Sequence, residues 1–135
     1  MKLKKQNILI IKHGAFGDLI QSDGIFRTIK RTYLNANLIL LTSSSYKNLM
    51  LLSPYIDKVI VDDRFKFWNL RKTFKLINEI DNLRFSLVFD LQNSQRTFLY
   101  KILLKSPTWI TTKRKDHPIS GLQGLVDMLK DYGIP

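Results

Sequence analysis

Residues 8–19 read ILIIKHGAFGDL: an unbroken apolar run, a Lys-His pair, and a small-residue loop that delivers Asp18 to a stretch of helical spacing. A short, β-branched apolar run with no polar alternation is the pattern of a strand buried on both faces, and the glycines mark where it must turn. Residues 38–42, 58–61, 86–91 and 109–111 repeat the pattern, so five strands are predicted. Between them, Leu19, Ile20, Ile25, Phe26 and Ile29 recur at helical spacing, as do Phe67, Leu70, Phe74, Ile77 and Ile80. A last amphipathic stretch, Leu122, Leu125, Val126 and Leu129, stops at Gly133. Strands alternating with helices predict an α/β fold with a parallel sheet covered on both faces. Right-handed crossovers then select a doubly wound, Rossmann-like sheet ordered 3-2-1-4-5.

That order designates a place for ligands. In such sheets they bind beyond the carboxyl ends of the strands where the winding reverses, here between strands 1 and 4. Two loops converge there, KHGAFGD after the first strand and DLQNSQR after the fourth. In the first, Gly14 and Gly17 let a ligand approach the backbone, and Asp18 stands at a helix start either as a cap or as a carboxylate held over a substrate. It is not a dinucleotide fingerprint, because the G-x-G spacing and an acidic residue closing strand 2 are both missing, and it is not a P-loop. In the second, Asp90, Gln92, Asn93, Ser94 and Arg96 read either as turn and capping chemistry or, facing Lys12, as groups for a polyhydroxylated anionic ligand.

The 135 residues fit a single domain spanning 1–135, with 44% hydrophobic residues to fill its core. No cysteine is present, which excludes disulfides, thiol nucleophiles and thiolate metal sites, and His13 and His117 alone cannot make a zinc site. The basic start and short apolar run of the N-terminus fall short of a signal peptide, and no run approaches a membrane span, so a cytoplasmic location is expected. The net charge of +11 favours anionic partners: nucleic acid, anionic membrane or phosphorylated substrates. No RNP, KH or helix-turn-helix pattern accompanies it, so nucleic acid is not expected. The segment RFKFWNLRKTFKLI, residues 64–77, interleaves cations with aromatics. It reads either as a helix lying on a membrane surface or as one that buries Phe67, Leu70, Phe74 and Ile77 under a solvated basic face.

Taken in order, IIKHGAFGDLIQ, IFRTIKRTYLNANLILLTSSSYKNLM, SPYIDKVIVDDR, DLQNSQRT and LKDYGIP resemble glycosyltransferase family 9, the ADP-heptose:lipopolysaccharide heptosyltransferases, from about Ile8 to Pro135. The resemblance implies the N-terminal, acceptor-side half of a GT-B glycosyltransferase, with the family's C-terminal donor-binding domain absent from these residues. It implies transfer with inversion, without a metal or other cofactor, from a nucleotide-sugar donor to a phosphorylated glycolipid acceptor such as lipopolysaccharide. It matches Asp18 to the family's catalytic base and Lys12 and Arg96 to basic acceptor-side positions, with Gly14, Gly17, Asp90 and Gln92 lining the same substrate site. By this reading the chain alone is inactive and peripheral to the inner face of the cytoplasmic membrane. The alternative is a non-catalytic remnant or interaction module that holds an anionic surface or partner by its charge. The family often has a proline in the first helix, where this chain has Gly24.

Overall fold

The computed structural model describes residues 6–14, 16–63, 69–104 and 108–111. The amphipathic stretch at 122–129, Gly133, His117 and residues 64–68 lie outside the described residues. Five strands, β1 (Asn7–Ile11), β2 (Asn37–Thr42), β3 (Lys58–Val61), β4 (Leu87–Asp90) and β5 (Thr108–Thr111), form one sheet in the order β3-β2-β1-β4-β5. Every pairing is parallel, and β1 is central: Ile8 pairs with Leu38 and Leu87, and Ile11 with Leu41 and Asp90. The predicted topology and strand positions hold to within one or two residues at the strand ends.

Side chains alternate between the two faces and build two cores. On one face Ile8, Ile10, Leu38, Leu40 and Phe89 pack under α1 (Phe16–Gln21) and α2 (Asp23–Thr32), which supply Leu19, Ile25, Phe26 and Ile29. The short α3 (Lys47–Met50) adds Met50 to that face. On the other, Leu9, Ile11, Ile39, Leu41 and Val88 pack with Leu76, Ile77 and Ile80 of α4 (Leu70–Asn82) and Tyr100 of α5 (Gln95–Leu103). Full burial of each such aliphatic side chain contributes about 1.5–3 kcal/mol, so the central strand is the best-anchored element of the sheet.

Two helices differ from expectation. The predicted first helix is divided at Ser22, whose hydroxyl donates to the Asp18 carbonyl at 2.7 Å alongside its own amide at 3.0 Å. A buried serine returning a hydrogen bond to the preceding turn bends a helix locally, and α1 and α2 are the two segments. In α4 the buried face is Thr73, Leu76, Ile77 and Ile80. Leu70 and Phe74 are not core residues but 58% and 55% exposed, beside exposed Arg71, Lys72 and Lys75. Both apolar sets fit a 3.6-residue period, and contact with the sheet, not the period, chose between them.

Candidate functional site

At the carboxyl edge of the sheet, β1 is still held by both neighbours. The Lys12 amide donates to the Leu41 carbonyl at 3.0 Å, and the Leu91 amide donates to the Ile11 carbonyl at 3.0 Å. One residue later the strands diverge and side chains replace the ladder. The His13 amide donates to Gln92 Oε1 at 3.1 Å, and the His13 carbonyl accepts from Ser43 Oγ at 2.9 Å. Gly14 follows with φ 158°, and a Cβ there would stand 3.0 Å from the Tyr46 ring, so the aromatic residue after β2 packs where only glycine leaves room. A Cβ on Gly17, the second residue of α1, would meet nothing within 4 Å, so the start of that helix is open there.

Asp18 is exposed in the first turn of α1, as its third residue and so inside the helix rather than at the capping position. A carboxylate there is favoured by the helix dipole while staying accessible. Lys12 is half-buried, and its ammonium lies within electrostatic reach of both Asp18 and Asp90. Burial pulls its pKa below the ordinary lysine value, and the two carboxylates act in the opposite direction. Lys12, Asp18 and Asp90 therefore form one charged group at the end of β1.

Asp90 has a largely internal task. Only 2% exposed, it accepts from the Gln92 amide at 3.1 Å and the Asn93 amide at 2.8 Å, with Thr97 and Trp109 side chains as further donors. Burial raises its pKa, and these hydrogen bonds oppose the rise. The turn it organises places Asn93 at φ 47°, a conformation asparagine tolerates well. Ser94 then caps α5: its Oγ accepts from the Thr97 amide at 3.2 Å, and its own amide donates to Thr97 Oγ1 at 2.8 Å. Turn chemistry thus occupies Asp90 and Ser94, while Gln92 bridges the two loops and Arg96, half-buried in the first turn of α5, points its Nη1 to Tyr100 Oη at 3.3 Å.

Asp18 and Arg96 belong to helices on opposite faces of the sheet, as the reversal of winding between β1 and β4 requires. Both helices start beyond the carboxyl ends of adjacent strands, α1 after β1 and α5 after β4. Sequence reasoning did not find a buried group beneath the β1–β4 crevice. His13 Nε2 lies 2.7 Å from Asp62 Oδ2, and the same oxygen accepts from Tyr100 Oη at 2.6 Å. His13, Asp62 and Tyr100 are all 0% exposed. The available signal was topological: Asp62 directly follows β3, and every strand end of a parallel sheet reaches this edge. Among the described residues no cluster of His, Cys, Asp and Glu is arranged to hold a metal ion.

No family model and no curated protein matches the chain. Solved structures do. A family 9 glycosyl transferase from Veillonella parvula superposes with a TM-score of 0.82 at 16% identity, over 100% of this chain and 44% of its own. ADP-heptose LPS heptosyltransferase II of E. coli gives 0.67 at 20% identity, over 78% of this chain and 30% of its own. E. coli heptosyltransferase WaaC with ADP-2-deoxy-2-fluoro heptose gives 0.75 at 11% identity, over 96% and 49%. The chain thus spans half or less of the length of these structures, and the likeness shows its fold: the doubly wound, Rossmann-like α/β sheet of GT-B glycosyltransferases.

Proposed function

We propose that this chain is the N-terminal, acceptor-side half of an inverting, metal-independent glycosyltransferase of the heptosyltransferase kind. In this reading it works with a nucleotide-sugar donor bound by a C-terminal domain, and with a phosphorylated glycolipid acceptor such as a lipopolysaccharide precursor. The observation that supports it is the grouping of Lys12 with Asp18 and Asp90 at the end of β1, with Gln92 bonded across from β4, on a fold shared with solved heptosyltransferases. Inversion needs one base on the face opposite the leaving group, and an exposed carboxylate at a helix start can take the proton of an acceptor hydroxyl. Asp18 is that base. Lys12 and Arg96 hold the acceptor's phosphate, Arg96 by its planar fork, while the open face of Gly17 admits the sugar. Gly14 and Asp90 shape the two loops that line the site.

The same reading puts the protein in the cytoplasm, peripheral to the inner face of the cytoplasmic membrane. The +11 charge and the exposed Leu70 and Phe74 beside Arg71, Lys72 and Lys75 support attraction to an anionic bilayer. That surface also favours the second reading, a non-catalytic module that binds an anionic surface without chemistry.

The test titrates the ¹⁵N-labelled chain with a phosphorylated glycolipid in mixed micelles, beside its dephosphorylated counterpart. Saturable shifts at Lys12, Gly14, Asp18, Gln92 and Arg96 are expected with the phosphorylated form alone. Shifts confined to α4 support the non-catalytic module instead, and none at the crevice overturns the acceptor site.

A further inference from the structure

Beneath the crevice runs a chain of hydrogen bonds from the end of β1 to the first turn of α5: His13 to Asp62, Asp62 to Tyr100, Tyr100 to Arg96. We infer that His13, Asp62 and Tyr100 are positioning residues for Arg96, holding its guanidinium in one orientation at the β4 side of the crevice. The inference rests on the reading of that crevice as an anion site.

Three features favour this over simple packing. First, a fully buried carboxylate, imidazole and phenol together are a costly way to fill a core, since apolar residues of similar volume are often neutral or stabilising in their place. Second, the group is wired to the site from several sides. The backbone of His13 is bound by Gln92 from the β4 loop and Ser43 from the β2 loop, so one residue ties together the ends of β1, β2, β3 and β4. Third, the direction of donation is fixed. Burial first, and the Asp62 carboxylate with it, push the Tyr100 phenol up, so it stays protonated, donates to Asp62 and offers its oxygen lone pair to Arg96. An arginine held this way has already given up part of the side-chain freedom that a free one would lose on binding an anion.

The test uses inorganic pyrophosphate as ligand and the ¹⁵N-labelled chain. Tyr100→Phe keeps the ring and removes the hydroxyl, and Asp62→Asn keeps the shape and removes the charge. In the wild type the Arg96 Nε–Hε resonance is expected to be resolved and ordered, and each variant is expected to lose that order while the backbone spectrum elsewhere stays native. Pyrophosphate affinity should fall about five-fold in Tyr100→Phe, one ordinary hydrogen bond, and about ten-fold or more in Arg96→Ala. The double variant should bind no more weakly than Arg96→Ala, because the hydroxyl acts through the guanidinium. Losses that multiply, or an Arg96 resonance unchanged by Tyr100→Phe, overturn the inference. A wild type that does not bind pyrophosphate overturns the anion site instead, and the relay is then decided by the Arg96 resonance alone.

Discussion

Asp18 and Asp90 are both acids at the mouth of one crevice, yet their surroundings assign them different work. Asp18 is exposed at the third residue of α1. In a transferase assay where this half supplies the acceptor site, Asp18→Asn should lower turnover by about 10²–10⁴ with acceptor affinity retained. Near-normal turnover would return the residue to a role in helix stability alone. Asp90 is buried among donors, and its pKa is raised, chiefly by that burial. The folded chain therefore holds the Asp90 proton more tightly than the unfolded chain does. Its contribution to stability is fully present below the ordinary value near 3.8 and is lost as pH rises through the raised folded value. A carbonyl-detected NMR titration should place the Asp90 midpoint above the ordinary value, and a midpoint at or below it contradicts this account.

At the scale of elements, α4 separates what the sheet uses from what it leaves to the surface. Leu76 lies in the core beneath the helix, whereas Leu70 and Phe74 face solvent. Leu76→Ala should cost about 2–5 kcal/mol in urea denaturation. Leu70→Ser with Phe74→Ser should stay within roughly 1 kcal/mol in total, as surface changes do. The reverse order would restore the face predicted from periodicity. The break between α1 and α2 is likewise an element-level decision: Ser22 is a modest helix former, and only its burial against the preceding turn commits its hydroxyl to the Asp18 carbonyl.

For the whole molecule, the +11 charge and the exposed α4 side chains act together on any anionic surface. Liposome co-sedimentation should show weak binding to vesicles rich in anionic lipid that fades as salt shortens the Debye length below about 8 Å. Binding that is indifferent to salt contradicts the electrostatic account. Run beside it with several nucleotide sugars, the 135 residues alone should transfer no sugar. The solved transferases they match are at least about twice as long, and positioning donor against acceptor supplies a large share of catalysis. Robust transfer by the chain alone overturns the assignment of the donor site to a second domain.

The apolar run at 8–11 and its four repeats were enough to determine the sheet and its order. Strand burial and crossover handedness are local rules that leave few topologies open. Asp18, Lys12 and Arg96 were legible as candidates for the same reason, since position in a parallel sheet follows from position after a strand. What needed the tertiary structure was the choice among equals. Two apolar stripes on α4 had the same period, and Asp90 and Gln92 had the same polar character, until packing and hydrogen bonds divided them. His13, Asp62 and Tyr100 gave no local sign of one another, because they lie 38 to 49 residues apart along the contacts that join them. Only a fold that brings the ends of β1 and β3 and the side of α5 to one point makes them a group, and a hydrogen bond is recognised by distance in space rather than along the chain.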